Sequence, residues 1–321
     1  MSLNADEAVD ALRAAGEPTR LRILALLAAE ELSVMELGRI LDQSQPRVSR
    51  HLKLMTEAGL IERFPDGAWV FYRLPHHGPR RQLIDAVLDL LNESGQPERD
   101  FQRLEEVRGE RQAKAAAYFE RVAPRWDEIR SLYVPETAVE AAIEAAAGPG
   151  PFDRLVDLGA GSGRMLTLLG HRARTSIGLD LSQQMLNIAR GNVARAGLEK
   201  VELRHGDIFA TRLPSESADL VVVHQVLHYL SDPATAVAEA ARLVAEGGRL
   251  VIADFAPHGL EFLRTEHQHR RLGFSDEEMG NWLADAGLKV VAVQALKPER
   301  EGLTVKIWTG ERRRQRSRSA A

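Results

Sequence analysis

The chain has 321 residues, 44% of them hydrophobic and 27% charged, with 42 Lys and Arg against 46 Asp and Glu for a net charge of -4. That length accommodates two buried cores; no apolar run is long enough to span a bilayer and the start lacks a basic-then-apolar secretion pattern, so a cytoplasmic location with no membrane partner is expected. With no cysteine, disulfides and thiolate metal sites are excluded, and no metal is expected.

Glu17-Pro18-Thr19-Arg20-Leu21-Arg22-Ile23-Leu24 opens an amphipathic helix whose Leu21, Leu24 and Leu27 face one way. Residues 33–41 and 45–58 read as two further helices separated by Asp42-Gln43-Ser44, with Ser44 as N-cap and Pro46 in the first turn. That is helix-turn-helix spacing. On the second of these helices Val48, Leu52 and Met55 follow core spacing, which leaves Gln45, Arg47, Ser49, Arg50 and Lys53 on the other face. Such side chains read base edges and phosphates. A two-stranded wing follows, turning at Pro65-Asp66-Gly67 and carrying Arg63 and Arg73. The apolar stripe Leu83, Val87, Leu90 and Leu91 on the next helix needs a cover.

Over about residues 6–92 this stretch resembles the ArsR/SmtB winged helix-turn-helix repressors, on the order of its elements, the wing and the leading Pro-Thr-Arg-Leu-Arg-Ile helix. The resemblance implies a homodimer reading a near-palindromic double-stranded DNA operator. Where thiol-using members carry cysteines this chain has Ser33-Val34-Met35, so their metal or arsenite sensing is not carried over. The competing reading is a winged helix that only dimerises.

From residue 93 to 150 the composition shifts to Glu, Arg and Ala, in helices near 97–118 and 136–147, read as a connector and a lid. Beyond Gly148-Pro149-Gly150-Pro151, short apolar strands near 154–158, 175–179, 201–203, 219–223 and 249–252 alternate with helices, the mark of a parallel sheet. Strands near 289–294 and 304–309 have no helix between them and should pair as a terminal hairpin. The tail 311–321 is basic, has no large apolar residue and is expected to be disordered. The expected division is therefore 1–92, a mainly α winged helix-turn-helix; 93–150, connector and lid; 151–310, an α/β Rossmann-like domain with a mostly parallel sheet and a terminal antiparallel strand; and the tail.

Val156-Asp157-Leu158-Gly159-Ala160-Gly161-Ser162-Gly163 falls where the first strand of that sheet meets a helix, and glycines there let the backbone turn tightly and approach a ligand. The dinucleotide fingerprint fails because Arg164 stands at its last glycine position. Asp157, Asp180 and Asp207 bring three carboxylates to the carboxyl edge of the sheet, which would repel a pyrophosphate. A ligand with a cationic sulfonium, an ammonium, ribose hydroxyls and an adenine amino group finds acceptors instead. Over about residues 118–310 the chain resembles class I S-adenosylmethionine-dependent methyltransferases, whose acid-x-Gly-x-Gly-x-Gly pattern is met by Asp157, Gly159, Gly161 and Gly163. By that resemblance the cofactor is S-adenosylmethionine or S-adenosylhomocysteine. Asp157 would serve its amino group, Asp180 with Leu181 beside it the ribose, Asp207 with Ile208 the adenine, and His224 the methionyl side, with Met185 packing on the adenosine.

The acceptor side is open. His228 or His267 could act as general base, whereas Glu266-His267-Gln268-His269-Arg270-Arg271 could equally be a solvated helix face whose arginines pair with acids. Two histidines two residues apart cannot share a helix face, which argues against zinc at His267 and His269. Joined together, the halves read as a transcriptional regulator with the cofactor as effector; its discrimination would arise near the sulfur, beside His224, Tyr118 and Trp126. The resemblance extends to related regulators that respond to S-adenosylhomocysteine and control methionine-cycle genes. The alternative is a working methyltransferase on an unknown small molecule, with the winged helix autoregulating or dimerising it. Nucleic-acid methylation is disfavoured because His224-Gln225 stands where an Asn/Asp-Pro-Pro-aromatic motif would be.

Overall fold

The computed structural model describes residues 3–66, 69–75, 78–92, 98–122, 135–298 and 302–313. Trp126, the tail from residue 314 and the side chains of Tyr118 and Leu91, all named above, lie outside what is described. Two compact units make up the chain, Met1–Lys114 and Ala115–Ala321.

The first unit contains α1 (Ala5–Ala15), α2 (Pro18–Ala29), β1 (Leu32–Ser33), α3 (Val34–Leu41), α4 (Gln45–Glu57), β2 (Glu62–Asp66), β3 (Trp69–Arg73), α5 (Pro79–Asn92) and most of α6 (Glu98–Val122). Local chemistry sets the helix ends. Asn4 with Glu7, and Ser33 with Glu36, form reciprocal capping boxes that satisfy orphan N–H groups of α1 and α3. Asp42, left-handed at φ 57°, stops α3 and starts the turn into α4. Ser44 holds the N-cap position of α4, although its side chain makes no capping bond. Ile23, Leu24, Leu37, Ile40, Val48, Leu52 and Met55 bury together with Ile84, and each such side chain contributes about 1.5–3 kcal/mol. Leu104 and Val107 of α6 enter the same core. The first unit therefore runs past residue 92 and includes the start of the expected connector.

The second unit carries α7 (Glu136–Ala147), β4 (Phe152–Leu158), α8 (Arg164–Leu169), β5 (Ala173–Asp180), α9 (Gln183–Arg195), β6 (Val201–His205), β7 (Ala218–His224), α10 (Pro233–Leu243), β8 (Val244–Phe255), α11 (Phe262–His267), α12 (Asp276–Asp285), β9 (Lys289–Leu296) and β10 (Val305–Glu311). Seven strands form one sheet in the order β6-β5-β4-β7-β8-β10-β9; β10 alone runs antiparallel, between β8 and β9. Alternate residues feed the two faces. Val156, Val221, Val223, Leu250 and Ile252 pack on one side, and Leu155, Leu220, Val222, Val251 and Ala253 on the other. The helix expected as a lid is part of this core: α7 buries Val139, Ala142, Ile143 and Ala147 against Leu155 and Val251. Its apolar stripe decides that, since a stripe of this kind needs a sheet face to cover it.

Candidate cofactor pocket and DNA-reading surface

In the first unit α4 turns Val48, Leu52 and Met55 inward and leaves Gln45, Arg47, Ser49, Arg50 and Lys53 exposed. Arg63 is exposed on β2. Arg73 departs from the expectation of a DNA-facing residue. Glu62 lies opposite it in the β2–β3 register and accepts from its Nε at 2.9 Å, Glu31 accepts from Nη1 at 3.5 Å, and the guanidinium covers the Phe64 ring. Its charge is used within the fold.

The turn between α3 and α4 is gripped from α6. Asp100, 2% exposed, receives Nε and Nη2 of Arg22 at 2.6 and 2.7 Å, Arg103 donates to the Ile40 carbonyl at 3.1 Å, and Arg39 pairs with both oxygens of Glu110. The pair with Asp100 holds the Arg22 pKa above its usual value.

In the second unit the three aspartates reach one sheet edge because their strands are parallel neighbours. Asp157 is the penultimate residue of β4, Asp180 ends β5, Asp207 follows β6 by two residues, and His224 ends β7. The glycine turn crosses from β4 over the end of β5: Gly159 and Ala160 donate to the Leu179 carbonyl at 2.8 and 2.9 Å, and Gly161 N–H donates to Asp180 Oδ2 at 2.8 Å. Asp180 Oδ1 accepts from Ser182 N–H at 2.8 Å, beside Leu181, which is exposed. Burial raises the Asp180 pKa, opposed by the two N–H donors. At Gly159, φ is +72° and an added Cβ would lie 2.4 Å from Val226 Cγ2, so only glycine fits. Gly163, also at positive φ, leads α8, while Met185 and Ile208 are buried at 2% and 4% exposure. Asp207 accepts from Phe209 N–H at 3.0 Å and so closes its own loop. Arg164 is held by Glu140 at 2.5 and 2.7 Å.

On the neighbouring strand ends, His228 sits in the short 3-10 turn Leu227–Tyr229 after β7 with its ring 2% exposed, and its Nδ1 is 2.7 Å from Oδ1 of fully buried Asp254 on β8. His267 ends α11 and lies against Phe262, and the helix stops at left-handed Gln268. The ring beside His228 is that of buried His269, at a centroid distance of 4.1 Å. Of the alternative, a solvated helix face whose arginines pair with acids, the pairing holds, Arg271 with Glu278 at 2.7 Å, but Arg271 and His269 are buried and the helix ends at His267.

Comparison with known proteins separates the two units. Residues 17–63 match the model of bacterial regulatory proteins of the arsR family, and residues 156–252 match a methyltransferase domain. The arsenical resistance operon repressor of Escherichia coli strain K12 is 50% identical over 64 residues, 20% of this chain and 55% of its own length. A demethylmenaquinone methyltransferase of Thermus thermophilus is 32% identical over 148 residues, 43% of this chain and 64% of its own length. The chain thus spans little more than half the length of these relatives. Among solved structures, the N-methyltransferase NodS from Bradyrhizobium japonicum in complex with S-adenosyl-l-homocysteine superposes with a TM-score of 0.52 at 18% identity, over 62% of this chain and 98% of that one, which establishes the fold.

The chain joins an arsR-family helix-turn-helix to a methyltransferase domain. Within this fusion, sequence reasoning missed Asp254 and His269. Asp254 stands at the end of a parallel strand, the same position that singled out Asp157 and Asp180, and that rule would have found it. His269 carries no comparable signal, because only the left-handed residue after α11 turns it inward.

Proposed function

We propose that this chain is an ArsR-type transcriptional regulator whose methyltransferase-type domain takes S-adenosylmethionine or S-adenosylhomocysteine as effector, acting as a cytoplasmic homodimer on an operator, with methionine-cycle genes as its targets. The observation that carries this reading is α6: its first half is ion-paired to α2 and α3 around the reading turn, and the same helix continues past Lys114, where the first unit ends. A ligand that displaces α6 acts on the reading turn. Such a ligand shifts the equilibrium by its differential affinity for the two states and no more.

The pocket fits this cofactor on its own chemistry. Each Asp180 oxygen, with one N–H bound, keeps acceptor capacity for a ribose hydroxyl, and the left-handed Gly159 turn, closed by Val226, holds that edge in place. Asp157 would meet the ammonium, Asp207 and Ile208 the adenine, Met185 the adenosine, and His224 the methionyl side. When bound, S-adenosylmethionine supplies an electrophilic methyl group on a sulfonium. On the DNA side Gln45, Arg47, Ser49, Arg50, Lys53 and Arg63 would contact the operator. Calorimetric titration of both ligands with and without operator tests the coupling. Reciprocity requires operator to change the affinity of at least one ligand by the factor by which that ligand changes operator affinity, and unchanged affinities would contradict the sensor reading.

A second reading, methyl transfer to a small molecule, is favoured by one observation, the buried His228–Asp254 pair on the acceptor side of the same sheet edge.

A further inference from the structure

The atoms around His228 fix its hydrogen-bonding character. Asp254 Oδ1 already accepts from Phe255 N–H at 2.8 Å, and Oδ2 lies 3.4 Å from the N–H of His228, so this carboxylate acts as an acceptor and the 2.7 Å bond carries a proton on His228 Nδ1. In the neutral ring Nε2 then keeps its lone pair. It is buried and without a hydrogen-bond partner, as is Nδ1 of His269 in the adjacent ring. Two orphaned imidazole nitrogens in neighbouring buried rings are costly, and such groups in a folded protein call for a polar partner, a water or a ligand. Burial, together with His228, His258, His267 and Arg264, pushes the His269 pKa far down and keeps that ring neutral.

Rigidity is built in. The His228 carbonyl accepts from Arg270 and Arg271 N–H at 2.8 and 3.0 Å, and Val226, two residues back, packs on Gly159 of the cofactor turn. The rings of Tyr229 and Phe255 lie 4.1 and 4.9 Å from that of His228, and Phe255 stacks on His269 at 5.8 Å. Aromatic rings therefore neighbour both imidazoles, and their faces and edges favour an aromatic guest beside them.

We propose that Asp254, His228 and His269 form a subsite for the hydroxyl of a small aromatic ligand, with the O–H donating to His228 Nε2 and Asp254 acting as the positioning residue that fixes the tautomer. In the methyltransferase reading, on which this last step rests, the hydroxyl oxygen would bond the methyl carbon as the carbon–sulfur bond breaks and S-adenosylhomocysteine leaves, and its proton would pass to His228 Nε2 while Nδ1–H keeps its hydrogen bond to Asp254. The inward face of this site takes donors. An ether of the same shape has none to give.

The test uses the full chain with 15N-labelled histidine, and phenol against anisole as probes. The subsite requires His228 in the Nδ1–H form in the free protein, with saturable shifts of His228 Nε2 and His269 Nδ1 on adding phenol, and anisole weaker by about tenfold or more. Asp254→Asn should lose the tautomer preference, and His269→Phe should weaken phenol binding while His228 keeps its tautomer. An Nε2–H tautomer in the wild-type protein, or equal response to the two probes, would overturn the proposal without any variant having to fold. Phenol binding as expected, alongside no methyl transfer to any hydroxyl compound, would support the subsite and overturn only the proton-transfer step.

Discussion

Arg22 of α2 holds both carboxylate oxygens of Asp100 of α6, at 2.6 and 2.7 Å, with Asp100 removed from solvent. Four residues before Leu104 enters the core, this pair fixes where α6 lies against the reading unit. Asp100→Asn should destabilise the first unit by about 2 kcal/mol, below the usual cost of breaking a fully buried pair because the arginine keeps part of its hydration. Glu110→Gln removes the exposed partner of Arg39 and should leave stability unchanged. Urea unfolding of the two variants checks the contrast. If the helix carries the ligand signal, Asp100→Asn should also blunt the response of operator binding to ligand.

Asp180→Ala should weaken cofactor binding by about 1.5–3 kcal/mol, the scale of hydrogen bonds to a charged group. It also strips Gly161 and Ser182 of the acceptor for their N–H groups, so some loss of melting temperature is expected together with the loss of affinity. Operator affinity without ligand should hold. Calorimetry returning wild-type ligand affinity would remove Asp180 from the site.

Glu239 on α10 accepts from Thr211 N–H at 3.0 Å and Oγ1 at 2.6 Å, which ties down the loop that carries Asp207 and Ile208. Hydrogen bonding from Arg242, opposed by burial and aided by Thr211, lowers its pKa to about 2 from an ordinary 4.5. Because the folded value is the lower one, the stabilisation is complete above about pH 4.5 and is lost as pH falls through about 2. After discount for solvent near Arg242 it amounts to about 1–2 kcal/mol. Glu239→Gln should therefore be less stable than wild type at pH 7, with the gap closing towards pH 2. A gap that persists at pH 2 would mean the glutamate acts through packing.

Much of this was legible in the sequence. The glycines of residues 159–163 and the short apolar run at Leu155 and Val156 state backbone and burial needs that the fold meets. Charged residues were harder. Asp100 sits in a Glu- and Arg-rich run where nothing local separates it from exposed neighbours, and only the distant Arg22 makes it buried. Arg73 was read as a wing cation facing DNA, yet the hairpin register sets Glu62 opposite it, and pairing the strands residue by residue would have shown the partner. For the helix at 136–147 the shift to Glu and Ala suggests a lid, whereas its apolar spacing at Val139, Ala142, Ile143 and Ala147 is the better guide.

Arg50→Ala should lower operator affinity and, if Arg50 meets a phosphate, reduce the salt slope by about one. Arg73→Ala should leave that slope unchanged and lower stability by about 1 kcal/mol, since its charge serves Glu62 and Glu31. Operator titrations at several salt concentrations distinguish the two arginines.

As a ligand-responsive regulator, the chain would have to couple the pocket of the second unit to the reading surface of the first. The most direct measurement is operator affinity of the full chain without ligand, with saturating S-adenosylmethionine and with saturating S-adenosylhomocysteine. The two ligands differ by one methyl group and its charge, so separate affinities require contacts at the sulfur. The account predicts that the two ligands give different operator affinities and that at least one departs from the ligand-free value, by about 5-fold or more. Three identical affinities, with both ligands shown to be bound, would contradict it.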